Sequence, residues 1–418
     1  MTTGPYARDE TESDVPSSGL AILSLSLVYP NPLEPGLGLF VRSRLQNMAA
    51  LAGVEVIAPV PVLDYSSPTR KLWPNGIPSH RMDTNVVTVR HPRWIYPPGG
   101  TPANVLCLFL RLIWPLARLR QTFRFQVIDA HFGYPEGVVA ALLAGIFGCP
   151  FLVTLRGSEP IFARYRYRRL CLKWALRRAS AVITVSEALR DFAKELGAEP
   201  SRVKTIPNGI DESVFFPRQR VTCRLKYGIA PDTHAIVCAG ELIEAKGHHL
   251  VIRVVNELTK GGMNVELFIA GGVARGGAPF DTEIRQLISE LGMDTRIHLL
   301  GWVNQEDLAE LMTAADVFCL ASFTEGWPNV VNEALACGAP VVASNVGAVP
   351  HMIPTNEYGY VVPAKDPVAL YDALKAVLLR EWNRAEIAEW GRSRSWDQVG
   401  REAVTLIRQV MSEAYVRN

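Results

Sequence analysis

Short runs of β-forming residues alternate with helix-like segments along the whole 418-residue chain. Such alternation is typical of parallel sheets whose strands are joined by crossover helices. Strands are predicted at 21–28, 54–59, 86–90, 127–130, 151–155, 181–185, 203–206, 235–239, 265–270, 297–300, 317–321, 340–343 and 360–362. Because open sheets rarely exceed about ten strands, two Rossmann-like α/β/α domains fit this number better than one sheet.

Turn-forming residues cluster at 207–217, between the two sets of predicted strands. We therefore predict an N-terminal domain over residues 20–210 and a C-terminal domain over residues 211–394. Residues 1–19 are polar and contain Pro and Gly, which predicts a disordered lead.

Composition excludes several classes of protein. A net charge of +2 and the absence of an RNA- or DNA-binding motif give no reason to expect nucleic acid as a partner. Seven scattered cysteines without a C-x-x-C pair indicate reduced thiols and a cytoplasmic location. The most apolar run, 105–117, is interrupted by Arg111 and Pro115 and is too short to span a bilayer, so it is predicted as a helix packed on a sheet.

The stretch 316–343 reads as strand, loop, helix and strand. Pro328 suits the first helical turn, where its missing N–H costs nothing, and Gly338 suits the helix end. The start of this helix would direct free N–H groups and a positive dipole end beyond the first strand. Glu325 lies in the loop at that point, and Glu333 lies about two turns into the helix.

An anion that also carries hydroxyl groups would suit this arrangement, and a nucleotide-sugar is such a ligand. The alternative is two surface glutamates on an ordinary helix. The position of Glu325 directly after a parallel-type strand, where open α/β sheets bind ligands, favours a binding site.

Two further loops follow predicted strands. In 239–248 a glycine turn precedes Lys246, which could reach a phosphate; an unpaired surface lysine is the alternative. In 29–41, Gly38 would permit close approach of a phosphate or sugar to the backbone, unless it only makes a turn.

The first half of the chain also carries His131, at the end of a predicted strand, and Arg156, which could bind an anion. Residues 156–178 hold eight Arg or Lys residues and one acid, Glu159. This basic region is either a solvated helix or a contact with an anionic membrane or a lipid-diphosphate acceptor.

The eight-residue step from Glu325 to Glu333 resembles the Glu-x7-Glu signature of the retaining GT-B glycosyltransferases of family 4, and the flanking residues match as well. The resemblance extends over about residues 20–410. Three positions depart from the family pattern: Glu241 stands for an Arg, Arg156 for a His, and His351 for a Glu.

The resemblance implies a role for each matching residue. Glu325 would contact the hydroxyls of the donor sugar and Glu333 those of the ribose, while Lys246 would hold the diphosphate. His131 would contact the transferred sugar or the transition state, and the backbone of Val303 the nucleobase. The implied catalytic residues are Glu325 and His131, and the implied donor-binding residues are Gly38, Lys246, Val303, Gly326, Trp327, Pro328, Asn329 and Glu333.

The resemblance further implies a GT-B fold in which a helix over residues 395–418 crosses back to the first domain. A nucleotide-sugar donor, a glycan or lipid-linked acceptor, retention of anomeric configuration and independence of metal or other cofactors are likewise implied. The products would be cell-surface polysaccharide, a teichuronic-type polymer or glycolipid, made in the cytoplasm at the inner face of the membrane.

Two other functions remain open at this point. A nucleotide-sugar epimerase on the same fold would release a changed nucleotide-sugar without any acceptor. A non-catalytic homologue is the other, supported by Glu241 and His351. A glycosidase with paired carboxylates fits less well, because Lys246 and the helix start indicate a phosphate.

Overall fold

A computed structural model describes residues 19–62, 76–84, 86–97, 103–273 and 279–417. The predicted disordered lead falls on residues outside this set, apart from Gly19.

The first domain is built on an eight-stranded sheet with the order β10-β9-β8-β7-β1-β2-β5-β4. All of its neighbouring strands are parallel except β4 and β5. Its strands are β1 (Ala21–Leu25), β2 (Gly53–Ile57), β4 (His80–Asp83), β5 (Val87–Arg90), β7 (Val127–His131), β8 (Phe151–Leu155), β9 (Ala181–Thr184) and β10 (Val203–Thr205); a separate short pair consists of β3 (Val60–Pro61) and β6 (Arg93–Trp94).

The second domain is built on a six-stranded, fully parallel sheet with the order β13-β12-β11-β14-β15-β16. Its strands are β11 (His234–Ala239), β12 (Val265–Ala270), β13 (Ile297–Gly301), β14 (Val317–Leu320), β15 (Val341–Ser344) and β16 (Gly359–Val362). These strands are short and almost continuously apolar, as strands covered by helices on both faces are.

Helices cover both faces of each sheet. They are α1 (Leu39–Ala49), α2 (Ala103–Thr122), α3 (Val138–Phe147), α4 (Glu159–Phe162), α5 (Arg166–Arg178), α6 (Glu187–Glu195), α7 (Arg220–Lys226), α8 (His248–Lys260), α9 (Pro279–Glu290), α10 (Gln305–Ala314), α11 (Asn329–Ala336), α12 (Val349–Met352), α13 (Pro367–Leu378), α14 (Arg384–Gly391) and α15 (Trp396–Arg417). Among the described residues, no helix is both long enough and apolar enough to cross a membrane.

The predicted fold class is confirmed: two α/β domains with parallel sheets. Every predicted strand overlaps an observed one, and the apolar run 105–117 is part of α2, which packs on the first sheet. Sequence reasoning missed β3, β4 and β6. The sequence of β4 is His-Arg-Met-Asp, and only Asp83 is buried, so no apolar pattern marks this strand.

The helix α15 packs against α1 on the first sheet, which is the predicted return of the chain to the first domain. Val399, Ala403 and Ile407 share one buried cluster with Val41 and Leu45 of α1. Because this cluster includes residues from both ends of the chain, the first domain completes its core only after the second has been synthesised.

Two chain crossings lie side by side between the domains. The N–H of Ile210 donates to the carbonyl of Arg394 at 2.9 Å, and the guanidinium of Arg394 donates to the carbonyl of Pro207 at 3.2 Å. A Cβ atom on Gly209 would lie 2.5 Å from the carbonyl carbon of Ser395, so glycine is needed for the crossings to touch.

Replacing Ile407 by Ala should lower the free energy of unfolding by about 2–5 kcal/mol, because Ile407 is fully buried between α15 and the first sheet. Urea denaturation measures the loss. Tyr415→Ala, on the same helix at a side chain 88% exposed, should change it by less than about 0.5 kcal/mol. Equal effects of the two substitutions would contradict the packing of α15 described above.

Candidate active site

The helix α11 begins in the cleft between the domains. Pro328 occupies the position before its first residue, Asn329, where the missing N–H removes no helical hydrogen bond. The first N–H groups of such a helix have no partner within it and form an anion-binding end. At the other end, Gly338 has φ +78°, and a Cβ there would lie 2.7 Å from the carbonyl oxygen of Arg384.

Lys246 and Glu325 form an ion pair at this end of α11. The Nζ of Lys246 donates to Oε1 of Glu325 at 2.6 Å, and both side chains are partly buried. The methylene carbons of Lys246 pass over Gly240. A Cβ built on Gly240 would lie 3.4 Å from Cδ and Cε of Lys246. The structure therefore brings together two residues that the sequence predicts from separate motifs.

Glu333 lies about one turn after the start of α11 and faces a cavity of about 200 Å³. The cavity is also lined by Phe40 and Ser43 of α1, so it lies between the domains. Burial raises the pKa of Glu333 to about 7. Within the described part of the chain its carboxyl group has no hydrogen-bond partner, which leaves it available to a ligand.

The backbones of the two domains touch through glycines. Gly157, at φ +124°, follows β8, and a Cβ built on it would lie 2.6 Å from Cα of Gly326. A Cβ on Gly326 would lie 2.2 Å from the carbonyl oxygen of Arg156. On the other side, a Cβ on Gly347 would lie 2.4 Å from the carbonyl oxygen of Glu325. The loop before α11 is thus held between the two domains with no room for side chains.

Trp327 reinforces this contact. It is partly buried and packs against the cores of both domains. Its indole Nε1 is buried without a hydrogen-bond partner among the described residues.

A buried charged cluster includes Thr154 and Arg156, close to Gly157 in the chain. The guanidinium of Arg44 reaches Asp129 at 3.2 Å and donates to Thr154 at 2.7 Å. Nε2 of His131 lies 3.3 Å from Asp129. The partners Arg44 and His131 offset the cost of burial, so the pKa of Asp129 stays well below its usual range.

Arg156 connects this cluster to the second domain. It donates to Nδ1 of His131 at 2.8 Å and to the side chain of Asn208 at 3.2 Å. Asn208 in turn donates to Asn329 at 3.0 Å. The chain of hydrogen bonds runs from the first sheet, through the interdomain crossing, to the first residue of α11.

His131 is completely buried, and burial lowers its pKa to about 4. Because an arginine can only donate, Nδ1 accepts and the proton of the neutral ring resides on Nε2. Contact of His131 with a sugar stays a prediction. Arg156 is 8% exposed, its guanidinium lies 5.0 Å from the ring centre of Phe40, and burial lowers its pKa to about 9. Its predicted contact with an anion is also untested.

The remaining predicted residues lie on loops around the cleft. Gly38 precedes α1 with φ +68°, and a Cβ there would lie 2.4 Å from the carbonyl oxygen of Val28, so packing alone requires glycine. Val303 packs against the core of the second domain. Glu241, at the position where family 4 has an arginine, is exposed and can turn away from a bound phosphate.

Sequence reasoning missed three functional candidates. Arg44 is hidden within an ordinary helical pattern. Glu159 is fully buried and accepts hydrogen bonds from the N–H groups of Gly133, Arg156 and Gly157, which fixes the loop after β8. Its position as the lone acid in a basic region was the available signal. Trp302 is 64% exposed and approaches Gly36 across the cleft. A Cβ built on Gly36 would lie 3.2 Å from Nε1 of Trp302.

Two family profiles match the chain. Residues 36–209 match the glycosyl transferase 4-like domain, and residues 222–394 match glycosyl transferases group 1. Together they span most of the chain, one on each sheet. The chain belongs to the GT-B glycosyltransferases built from these two domains and is a transferase.

Relatives are similar along most of their length. The chain is 27% identical to the teichuronic acid biosynthesis glycosyltransferase TuaC of Bacillus subtilis, over 88% of this chain and 92% of TuaC. It is 26% identical to the D-inositol 3-phosphate glycosyltransferase of a Nocardioides species, over 74% of this chain and 72% of that protein.

Solved structures share the fold. The sucrose-phosphate synthase of Thermosynechococcus elongatus superposes with a TM-score of 0.77 at 18% identity, covering 94% of this chain and all of that one. Anabaena HepE, in complex with UDP, superposes with a TM-score of 0.74 at 19% identity, covering 93% of this chain and all of HepE.

Gly326→Ala should slow sugar transfer by roughly 100-fold, because the added methyl group would force the loop before α11 away from Arg156. Turnover of the donor measures this. Gly145→Ala, on α3 where no atom lies within 4 Å of the new methyl group, serves as the control and should be neutral. Unchanged turnover in Gly326→Ala would contradict a tight interdomain contact in the active state.

Glu333→Gln should stabilise the ligand-free protein by about 1–2 kcal/mol at pH 8, because the raised pKa means that ionised Glu333 costs folding energy. Below the ordinary pKa of a glutamate, Glu333 is protonated in both the folded and the unfolded state, so this cost disappears. The gain should therefore be smallest near pH 4.5, grow up to about pH 7 and then level off. Urea denaturation across this range tests the prediction, and a gain that does not vary with pH would refute it.

Proposed function

We propose that this glycosyltransferase moves a sugar from a nucleoside-diphosphate donor to a polysaccharide or lipid-linked acceptor, with retention of anomeric configuration. The observation that carries the proposal is the Lys246–Glu325 pair, which lies at the N-terminal end of α11. A cation, free backbone donors and a carboxylate meet there, and each suits one part of a sugar diphosphate.

The diphosphate competes with Glu325 for Lys246. As the phosphate oxygens bind the ammonium group, the Glu325 carboxylate loses its partner and accepts hydrogen bonds from the sugar hydroxyls instead. When the glycosidic bond breaks, negative charge grows on the leaving phosphate, where Lys246 and the N–H groups at Gly326–Asn329 stabilise it. Trp327 and Pro328 shape this loop.

The nucleoside lies toward Glu333. Ribose hydroxyls donate to its carboxyl group, and the backbone at Val303 holds the nucleobase. The cavity of about 200 Å³ beside Glu333 is smaller than the ~300–1,000 Å³ of ordinary ligand sites. The donor therefore extends beyond this cavity into the cleft, and closure of the two domains around it excludes water from the reaction. HepE, solved with UDP and with UDP-glucose, supports a UDP-linked donor.

The acceptor approaches from the first domain. The helix α5 carries most of the basic region and exposes Tyr167 and Leu170 among its arginines and Lys173. This mixture of charged and apolar groups suits an anionic membrane face, and the names of TuaC and the inositol phosphate transferases support an anionic acceptor.

Release of nucleoside diphosphate from a panel of UDP-, GDP- and ADP-sugars tests the function. One donor should be turned over, faster with a lipid-linked acceptor, and Glu325→Gln should reduce turnover by roughly 100-fold or more. Glu381→Gln, at an exposed carboxyl group, is the matched control and should be fully active. Turnover that survives in Glu325→Gln would remove Glu325 from the mechanism.

The same panel separates the alternatives. Conversion of the donor to an epimeric nucleotide-sugar without acceptor would identify an epimerase. Binding without release would identify a non-catalytic homologue, which the departures at Glu241 and His351 favour. The anomeric configuration of the product, read from its NMR coupling constants, decides between retention and inversion.

Independence of metal is part of the proposal, because Lys246 and the start of α11 supply positive charge at the leaving group. Turnover should be unchanged after dialysis against EDTA. Loss of turnover in EDTA, restored by Mg²⁺ or Mn²⁺, would contradict this part of the mechanism.

A further inference from the structure

A second cavity lies within the first domain. Its volume is about 450 Å³, and it lies between α2 and the ends of β2, β4, β5 and β6. None of the residues that line it lines the cavity beside Glu333. None of its lining residues has a role in the transfer reaction proposed above.

Three arginines give the cavity a positive lining. Arg90, Arg93 and Arg111 line it together with His80 and His91, and no carboxylate of the described residues does so. One of these arginines is paired: the carboxylate of Glu55 accepts from Nε of Arg90 at 2.7 Å. A cavity with this lining favours an anion.

His91 provides the second observation. Its side chain is 2% exposed, and Nδ1 lies 3.0 Å from the carbonyl oxygen of Ala58. Because a carbonyl only accepts, Nδ1 carries the proton and Nε2 has a free lone pair. This buried Nε2 has no hydrogen-bond partner within the described part of the chain. A phosphate hydroxyl could donate to it, and a protonated ring could donate to a phosphate oxygen.

Arg111 lies at the mouth of the cavity on α2. Its Nε donates to the carbonyl oxygen of Arg93, which orients the guanidinium. Among the described residues, Arg111 has no ion-pair partner, so its two Nη groups are available to an anion. Arg93 is held by a bond from its own Nη2 to the carbonyl oxygen of Ile77 at 2.7 Å.

The same helix, α2, also carries an exposed apolar stripe. Leu106, Leu110 and Trp114 recur every fourth residue on the outer face of α2 and are 55%, 57% and 76% exposed. Ile95, which follows β6, is 68% exposed. Tryptophan and leucine beside cationic groups are the composition of surfaces that lie in a membrane interface. The basic helix α5 packs on the same face of the sheet.

We propose that this cavity binds the phosphate head group of a membrane lipid, while the Leu106–Trp114 face of α2 enters the lipid interface. The cations and His91 hold a phosphate, and the apolar stripe receives the chain that carries it. The combination favours a lipid over a soluble phosphate, because a soluble ligand would make no use of the stripe. The inference does not depend on the sugar-transfer reaction.

Flotation with phosphatidylcholine vesicles tests this. One set contains phosphatidic acid, whose head group is a phosphate monoester, and the other contains phosphatidylserine at matched surface charge. The protein should bind the phosphatidic acid vesicles at least about tenfold more tightly, as expected for a site that recognises the phosphate itself and not only the charge. Equal binding to both vesicles, or to neither, would overturn the proposal.

Substitutions on α2 locate the site. Arg111→Gln should weaken binding to phosphatidic acid vesicles by more than tenfold. The control is Arg118→Gln, at an exposed arginine of the same helix that does not line the cavity. It should weaken binding by at most about fivefold, which is the contribution of one cation near an anionic surface. Equal losses would show general electrostatic attraction and refute a head-group site.

The stripe and the soluble alternative need their own comparisons. Trp114→Ser should reduce vesicle binding by about tenfold, while Leu225→Ser, 74% exposed on α7 of the second domain, should have no effect. Inorganic phosphate and glycerol 3-phosphate should compete only weakly. If either soluble phosphate displaced the vesicles completely at concentrations comparable with the lipid phosphate, the cavity would be assigned to a soluble phosphate. Undiminished vesicle binding by Trp114→Ser would likewise overturn the lipid assignment.

Discussion

The close approach of two backbones, at Gly157 and Gly326, determines how this enzyme is assembled. A side chain at either position would separate the domains, since a Cβ on Gly326 would lie 2.2 Å from the carbonyl oxygen of Arg156. The contact brings the start of α11, with its unpaired N–H groups, to the C-terminal ends of the strands in the first domain. Glu325 belongs to the same loop as Gly326, so the position of its ion pair with Lys246 relative to the first domain depends on this contact.

Buried charge fixes the first-domain side of that contact. Arg44, Asp129, His131 and Arg156 would each be costly to bury alone, but each has an opposite charge or a hydrogen-bond partner. The cluster ends in the bond from Asn208 to the side chain of Asn329, so it reaches the first residue of α11. Orienting the loop before α11 and joining the domains therefore depend on one connected set of polar groups.

The sequence predicted the fold well because strands buried on both faces are nearly continuous apolar runs, as in 265–270 and 151–155. It missed β4, whose polar residues pair with β5 at a sheet edge. Lys246 and Glu325 were predicted as site residues from turns after strands, and Glu333 from its place on the helix that follows. The pairing of Lys246 with Glu325 was not predicted, because 79 residues separate them. The role of Arg156 as a buried connector was also out of reach, because it depends on contacts with His131 and Asn208 that only the folded chain creates.

In the proposed mechanism Lys246 leaves Glu325 for the donor diphosphate, and Glu325 then binds the sugar. Calorimetric titration of the nucleoside diphosphate and of its sugar conjugate, into the wild type and Glu325→Gln, tests this most directly. We expect Glu325→Gln to bind the nucleoside diphosphate at least as tightly as the wild type, because Lys246 is no longer paired, but to lose the added affinity for the sugar conjugate. Equal weakening of both ligands, or no change in either, would contradict it.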